Sequence, residues 1–312
     1  MNPKYYAILG QEEYENGFAG IDYNNIDAVT TRYHVLVATG HKDDRDTGGN
    51  ALRTDWAKKR LKVDLGQLPD FLKPPLIDLS QLPLGSFCIQ FTFKLLKPYT
   101  SRDDNQFYIV DNPIVRDKVF RLPMVRPTAW KGSLRHALWQ LGHQEEDDQI
   151  KQLFGTANDE QPEKGNNGRL YFYPTFFTQT SLEIINPHDR ERRFGKNPIL
   201  MESVPIGTDG AFTLLYTPLD RIGKAVGETR QQIFADLQLV AAGLEALFTV
   251  YGFGAKTSSG FGLASNQLPQ NGDIKVNYPS ATEPIIQDFN SLTLLKRKAD
   301  ALKRVISKEQ TP

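Results

Sequence analysis

The stretch from residue 251 to residue 262 has the residue types of a phosphate-binding loop. It carries four glycines within residues 252–262, together with Lys256, Thr257 and Ser258. Glycines let the backbone adopt positive φ angles and approach a ligand closely, while exposed N–H groups and one ammonium hold phosphate oxygens from several sides. The spacing matches neither a P-loop nor a dinucleotide-binding turn, which opens a helix after a strand. A helix-to-strand turn without a ligand is the alternative interpretation.

Residues 118–144 are the second candidate anion site. They include five Lys or Arg residues and no Asp or Glu. Pro127 opens a predicted helix in this segment, and Thr128 or Ser133 could cap its first turn. The free N–H groups at the start of the helix, together with Lys131, would then face an anion. A solvated basic face is the alternative interpretation.

Two histidines lie in polar, charged segments. His41 is followed by three aspartates within residues 43–46, which suggests a metal site, although such clusters are more often solvated loops. His188 lies in a long basic excursion, residues 186–203, which also carries Phe194. Such an excursion could follow an RNA backbone and insert its aromatic ring between bases. No partner for acid–base catalysis accompanies either histidine.

The composition of the chain excludes a strong global electric field. Lys plus Arg and Asp plus Glu each number 37 in 312 residues, so any nucleic-acid surface has to be local. Cys88 is the only cysteine, which rules out an internal disulfide and a cysteine-built zinc site. We find no run like a signal peptide and no stretch approaching the length of a membrane span. The expected protein is soluble and cytoplasmic, without a membrane partner.

Apolar periodicity predicts both strands and helices along the chain. The clearest strand covers residues 86–95, where large apolar residues alternate with polar ones. Other strands are predicted at residues 33–39, 107–110, 211–216 and 261–264, and within residues 169–177, where the strand ends near Pro174. Helices are predicted at residues 55–65, from residue 127 onward, and at residues 233–251 and 283–308. The four prolines within residues 68–84 indicate an extended connector.

The order of the predicted core elements indicates an α+β fold. Strand, helix, strand, strand, helix and strand form the β-α-β-β-α-β pattern of a ferredoxin-like, RRM-like core. We predict an N-terminal extension at residues 1–85, this core at residues 86–265 and a C-terminal helical tail at residues 266–312. The basic excursion at residues 186–203 is inserted between the central strands.

Three stretches of the core form a motif set in a fixed order. They are residues 111–117 (DNPIVRD) with residues 127–135 (PTAWKGSLR), residues 153–155 (LFG) with residues 168–172 (GRLYF), and the glycine-rich residues 252–262. Together they resemble the RAMP (repeat-associated mysterious protein) superfamily, the RNA-gripping subunits of type III CRISPR effector complexes. Two departures from the family pattern are the 85 residues before the core and Pro-Thr-Ala-Trp-Lys-Gly in place of Pro-Gly-Ser-Ser-Leu-Lys-Gly.

This resemblance implies that the chain grips guide RNA with its first core helix and its glycine-rich loop. The residues that the motifs place in contact with RNA are Thr128, Lys131, Arg135, Gly252, Gly254, Lys256, Thr257, Ser258 and Gly260. The excursion would act as a thumb that displaces a base, with RNA contacts from Arg190, Arg192, Arg193 and Phe194.

The resemblance also implies a catalytic role for Asp111, which occupies the place of the aspartate that RNA-cleaving relatives use. A carboxylate there could position Mg²⁺ or another divalent metal, or deprotonate a ribose 2′-hydroxyl. Because a lone aspartate is a weak base at neutral pH, the metal role is favoured. Asp117, Asp103 and Asp104 are rivals for this position.

The favoured function is therefore a guide-RNA-binding subunit, assembled with other effector subunits, that cleaves target RNA through Asp111. One alternative is a non-catalytic guide-binding or end-capping subunit of the same complex. A more distant alternative is a stand-alone endoribonuclease that processes guide precursor with His41 or His188.

Overall fold

The computed structural model describes residues 21–103, 107–156, 166–185, 199–278 and 284–308. Contacts divide the chain into two units. The first unit comprises the described parts of residues 1–65, 100–116 and 179–204, and the second comprises those of residues 66–99, 117–178 and 205–312. These limits differ from the domains expected at residues 1–85, 86–265 and 266–312, which remain a prediction.

Helices and strands are numbered here along the described part of the chain. The α-helices are α1 Ile26–Ala38, α2 Gly49–Lys59, α3 Pro127–Gln140, α4 Asp148–Phe154, α5 Val226–Ala246 and α6 Leu292–Lys308. The strands are β1 Lys62–Asp64, β2 Phe87–Lys94, β3 Met124–Val125, β4 Gly155–Thr156, β5 Asn166–Asn167, β6 Leu170–Phe172, β7 Thr175–Phe176, β8 Gln179–Ile185, β9 Ile199–Ser203, β10 Asp209–Tyr216, β11 Gln267–Val276 and β12 Ile285–Ser291.

A five-stranded antiparallel sheet organises the second unit, with the strand order β12-β11-β2-β10-β6. Strand β2 is central, and its alternating apolar side chains are buried whereas Lys94 is exposed. The strand expected at residues 86–95 is therefore confirmed. The strand at residues 211–216, the helix that opens at Pro127 and the helix at residues 233–251 are confirmed as well, as β10, α3 and the greater part of α5 with its following turn.

Aromatic side chains pack helices α3 and α5 onto this sheet. The ring of Trp130 in α3 lies 5.1 Å from that of Phe212 in β10 and 5.4 Å from that of Phe248 after α5, measured between centroids. All three side chains are buried. Because large buried rings contribute strongly to hydrophobic stabilisation, this cluster holds the start of α3 and the end of α5 in place.

Helix α5 and the π-helical turn Leu247–Tyr251 form one apolar stretch. Its 26 residues, Val226–Tyr251, are long and apolar enough to cross a membrane by length and composition, contrary to the expectation that no stretch approaches that length. However, 61% of its most apolar window is buried within the protein. A core helix has the same composition, so this length is weak evidence for a membrane span.

Arg169 carries a buried charge in the second unit. Its Nη1 lies 2.9 Å from Oδ2 of Asp236 in α5, and its Nη2 lies 2.5 Å from Oδ2 of Asp220. The hydroxyl of Tyr216 donates to the same oxygen of Asp236 at 2.7 Å. Because a buried charge requires partners with good geometry, this network fixes the start of β6, the end of β10 and α5 in one arrangement.

The first unit combines helices α1 and α2 with a three-stranded sheet of order β1-β8-β9. Strand β8 is central and antiparallel to both neighbours. The buried core is formed by side chains from both helices and from residues 109 and 110: Val29, Leu36, Leu52, Trp56, Ile109 and Val110. The loop that follows residue 110 is therefore anchored to the helices.

One prediction near the N-terminus is wrong, and a second is correct only at residues 55–59. The strand expected at residues 33–39 lies mostly in α1, because Val29 and Leu36 share the helix face that packs on α2, and the side chain of Asn25 accepts a hydrogen bond at the helix start. Tertiary packing overrides the strand propensity of the local composition. The helix expected at residues 55–65 is α2, which ends at Lys59 and is followed by β1.

Four further predictions need correction. Residues 261–264 form no strand, since Gly262 has a φ of +74° and Ala264 makes an isolated bridge with Leu95. The strand expected to end near Pro174 does so as β6, but residues 175–176 beyond the proline form a separate strand, β7, with a different partner. Residues 107–110 bend without strand pairing. The described part of residues 283–308 divides into β12 and α6, because β12 pairs with β11.

Candidate nucleic-acid interface

The start of helix α3 has an open N-terminus. Its N-cap residue is Arg126, with no side-chain cap, and Pro127 is the first helical residue. Thr128 and Ser133 lie inside the helix, so the expected capping by either residue is wrong. A proline at this position is favourable because its φ suits the helix and it leaves one fewer amide to satisfy.

Lys131 and Arg135 lie one helical turn apart on α3, so their side chains share a face. Both are half-buried. Partial burial lowers the pKa of Lys131, and the positive charge of Arg135 lowers it further. Two neighbouring cations that repel each other are stabilised by an anion between them. This pair therefore has the electrostatics of a phosphate-binding face.

The glycine-rich loop follows the turn after α5, and its two arms pass very close to each other. Gly252 and Gly262 both have a φ of +74°, which favours glycine. A Cβ atom on Gly262 would lie 1.9 Å from the carbonyl oxygen of Phe253, and one on Gly252 would lie 2.4 Å from that of Phe261. The path of this loop therefore requires glycine at both positions.

The apex of the loop presents a cation and backbone amides. Lys256 is exposed and has a φ of +60°, a strained conformation for a residue with a side chain. It precedes a short 3₁₀ turn, Thr257–Ser259. Among the described residues, the amides of residues 254–258 have no protein acceptor. Such a series of N–H groups beside an ammonium can hold an anion.

Aromatic contacts bring α3 and the glycine-rich loop side by side. Trp130, which precedes Lys131, packs on Phe253 of the loop with 4.5 Å between ring centroids. The hydroxyl of Tyr251 donates to the carbonyl oxygen of Gln140 at 3.4 Å. The two candidate anion-binding elements thus lie next to each other in the second unit.

We expect Gly262→Ala to destabilise the protein by about 2–4 kcal/mol, since it adds backbone strain and a collision with the carbonyl of Phe253. Thermal and urea unfolding of the full chain would measure this effect. Gly132→Ala is the matched control, because nothing lies within 4 Å of its added Cβ and alanine favours a helix interior. Equal stability of the two variants would contradict the close approach of the two arms.

Asp111 lies in a loop of the first unit with an exposed carboxylate. Its Oδ2 accepts a hydrogen bond from Nη2 of Arg53 in α2 at 2.5 Å, and 54% of its side chain is exposed. The carboxylate is therefore held on one side and open to a ligand on the other. Sequence reasoning missed Arg53, because the helix that carries it was expected to begin at residue 55.

Glu202 of β9 holds the segment around Asp111. Its buried carboxylate accepts hydrogen bonds from Nη1 of Arg116 at 2.5 Å, from the amide of Ile114 at 3.1 Å and from the hydroxyl of Tyr108 at 2.7 Å. Burial, with the charge of Glu202, raises the pKa of Tyr108. Since these partners lie on both sides of Asp111 along the chain, Glu202 fixes the loop that presents it.

The rivals of Asp111 have other surroundings. The carboxylate of Asp117 accepts from the amides of Val119 and Phe120 at 2.9 and 2.8 Å, which is the role of a turn residue. Asp103 donates through its amide to the carbonyl oxygen of Pro113 at 3.0 Å. Asp104 lies outside the described residues.

Among the residues that the structure describes, those at Asp111 do not form a metal site of protein ligands alone. Hard divalent cations bind several oxygen ligands, whereas Asp111 supplies one carboxylate that already accepts from Arg53. Over the described ranges, no group of three or more His, Cys, Asp or Glu could hold a metal. His41, whose Nδ1 lies 2.9 Å from Oδ2 of Asp44, is not part of such a group. The divalent metal expected at Asp111 stays a prediction.

Most of the expected thumb falls outside the described residues. This applies to Arg190, Arg192, Arg193 and Phe194, and also to His188. The last part of the excursion, residues 199–203, is strand β9, which pairs with β8. The RNA contacts expected from the thumb stay a prediction.

Comparison with known proteins agrees with the motif set. The sequence model of the RAMP superfamily matches residues 30–265. Over 179 residues, 49% of this chain and 73% of the relative, the sequence is 31% identical to the CRISPR system Cms endoribonuclease Csm3 of Mycobacterium tuberculosis (strain ATCC 25618 / H37Rv).

A solved structure shows the same fold. The cryo-EM structure of the Type III-B Cmr-beta bound to cognate target RNA contains a chain that superposes with a TM-score of 0.50 at 13% identity, covering 87% of this chain and 93% of that chain. This likeness concerns the arrangement of mixed helices and antiparallel strands. Because the family match spans most of the sequence, this chain belongs to the RAMP superfamily.

Proposed function

We propose that this chain is an RNA-binding subunit of a type III CRISPR effector complex, working in the cytoplasm with guide RNA, target RNA and other effector subunits. Its family membership and its similarity to an endoribonuclease of a CRISPR system support this assignment. The single observation that carries it is the packing of Trp130 on Phe253. This contact packs the start of α3 against the glycine-rich loop, and we infer that the cations of the one and the amides of the other serve the same RNA strand.

We also propose that the core of the second unit is ferredoxin-like. Strands β2, β6, β10 and β11, with helices α3 and α5, follow each other along the chain in the order strand, helix, strand, strand, helix, strand. In the sheet the four strands lie in the order β11-β2-β10-β6, which is fourth, first, third and second along the chain. Each neighbouring pair is antiparallel. This order supports the β-α-β-β-α-β core, to which β12 adds an edge strand.

The RNA-binding role follows from the chemistry of the two elements. Lys131, Arg135 and Lys256 offer charge, and the amides of residues 254–258 offer donors, all suited to phosphate oxygens. Such groups fix the path of a nucleic-acid backbone and carry no base information directly. Sequence would then be read by pairing of guide and target, so we expect this chain to show little base preference.

Salt dependence of RNA binding tests this proposal. Replacing Lys131 and Arg135 together by Ala removes two phosphate contacts. The negative slope of log K against log salt concentration should therefore become shallower by about 1.4 for single-stranded RNA. Fluorescence titration of the full chain with a labelled RNA, repeated from low to high salt, measures that slope. Lys296→Ala with Arg297→Ala is the control, since it makes the same charge change on exposed positions of α6. An identical slope for both double variants would contradict the proposal.

We propose further that Asp111 takes part in cleavage of target RNA. Its open carboxylate would help to hold a divalent cation or, as a weaker base, accept the proton of a ribose 2′-hydroxyl. The 2′-oxygen attacks the adjacent phosphorus to form a 2′,3′-cyclic phosphate, and the departing 5′-oxygen takes a proton from water. Arg53 would orient the carboxylate and place a positive charge next to it. A divalent cation, when bound, would supply additional stabilisation of the phosphate charge.

A non-catalytic subunit of the same complex is the second candidate function. The observation that favours it is the ion pair between Asp111 and Arg53, because a carboxylate held by a guanidinium also serves a purely structural role. The stand-alone processing enzyme has less support. His41 does have a carboxylate partner in Asp44, 2.9 Å away, contrary to the expectation that neither histidine has one. His188, however, lies outside the described residues.

A further inference from the structure

Two phenylalanines of the second unit lie against each other at the protein surface. The rings of Phe71 and Phe120 are 5.1 Å apart between centroids and tilted by 52°. Phe71 is 69% exposed and Phe120 is 44% exposed, and the neighbouring Val119 is 77% exposed. Clustered apolar side chains left in water commonly mark a binding surface. These three residues are called the aromatic patch below.

Both segments that carry the aromatic patch have a fixed backbone. Phe71 lies in the 3₁₀ turn Asp70–Leu72, which follows Pro69. Phe120 lies in a loop closed by the carboxylate of Asp117, which accepts from the amides of Val119 and Phe120. Such a prepared surface loses little conformational freedom when a ligand binds.

The charges around the aromatic patch favour an anionic partner. Lys118 and Arg121 flank Phe120 and are exposed. The acidic residues of the two segments have partners of their own, since Asp117 caps the loop and Asp70 lies 2.6 Å from Nζ of Lys73. A protein interface concentrates its charges outside its centre, whereas single-stranded RNA is bound by aromatic rings interleaved with cations.

We propose that the aromatic patch is a stacking site for a base of single-stranded RNA, with Lys118 and Arg121 beside the adjoining phosphates. This site is separate from the residues of α3 and of the glycine-rich loop, and it rests on the proposed RNA-binding function. It contributes affinity that does not depend on sequence, because every base has a face that stacks on an aromatic ring.

Loss of a stacking contact and loss of a charge contact should affect RNA binding differently, the first through affinity alone and the second also through its salt dependence. Phe120→Ala should weaken binding of a labelled 30-nucleotide single-stranded RNA to the full chain by about 5- to 150-fold, with an unchanged salt slope because no counterion is released. Phe120→Tyr should retain most of the affinity. Lys118→Ala should instead make the negative salt slope shallower by about 0.7. Ile286→Ala is the matched control, since Ile286 is 56% exposed in the same unit.

The outcomes separate this proposal from the proposed function. Equal RNA affinity of Phe120→Ala and Ile286→Ala overturns the stacking site. If Phe120→Ala then also loses its copurifying effector subunits, the aromatic patch is assigned to a protein partner. If Phe120→Ala weakens binding while the Lys131 and Arg135 double variant keeps its slope, the stacking site stands and the backbone grip fails. Because both phenylalanines are exposed, unchanged thermal unfolding is expected and confirms that the variants fold.

Discussion

Asp111→Asn should slow target-RNA cleavage by the assembled complex by about 10²- to 10⁴-fold, the range that a positioned acid or base contributes. Asparagine has nearly the same shape and retains an oxygen that can accept from Arg53. The loop should therefore stay in place while the charge and the basicity of the carboxylate are lost. Single-turnover cleavage of end-labelled target RNA, with the complex in excess, measures the chemical step.

Asp103→Asn is the control for this experiment, because Asp103 is a rival carboxylate of the same unit. It should leave the cleavage rate within about twofold of wild type, since catalytic gains of this class require a group within reach of the proton. The amount of copurifying guide RNA reports on assembly in both variants. Undiminished cutting by Asp111→Asn at every site of the target would rule out the catalytic role and leave the non-catalytic subunit as the function.

The elements that sequence reasoning located correctly are those whose periodicity is imposed by burial on one side. Strand β2 alternates because its apolar side chains face a core, and α5 is apolar because it lies within one. The lysine of the loop after α5 was found for a different reason. The backbone at residues 252 and 262 has no room for a Cβ atom, so both positions require glycine. A cluster of glycines of this kind is visible in a single sequence.

The elements that were missed depend on partners that lie far away along the chain. Residues 33–39 become helical because of packing on α2, and β12 forms because β11 lies beside it. Glu202 and Arg116 are 86 residues apart, and Arg53 and Asp111 are 58 apart. Local propensity carries no information about such pairs. An acidic residue within an apolar segment, such as Asp236 between Ala235 and Leu237, was the available signal for a buried network.

Glu202→Gln should lower the free energy of unfolding of the first unit by about 3–5 kcal/mol, the usual cost of leaving one member of a buried ion pair without its partner. Glutamine keeps the size of the side chain but not its charge, so the guanidinium of Arg116 stays largely buried and loses its counterion. Urea unfolding gives the stability, and hydrogen exchange at the amide of Ile114 reports on the loop itself. Exchange there should rise by the corresponding factor, because this amide donates to the Glu202 carboxylate.

Glu183→Gln provides the matched comparison, since Glu183 lies opposite Met201 in the adjoining strand. Burial raises the pKa of Glu183, so loss of its charge should be neutral or slightly stabilising. Adding Arg116→Gln to Glu202→Gln should restore part of the lost stability, because the unpaired cation is removed along with its partner.

Glu202 also links the stability of the loop to its proposed chemistry. A displacement of about 1 Å in a reacting group costs about 10²-fold in rate, so the Glu202→Gln complex should keep its guide RNA and cut target RNA more slowly. Glu183→Gln should cut at the wild-type rate. If Glu202→Gln loosens the amide of Ile114 while cleavage is unchanged, then the segment between Tyr108 and Arg116 serves the fold of the first unit alone, and the position of Asp111 is irrelevant to the reaction.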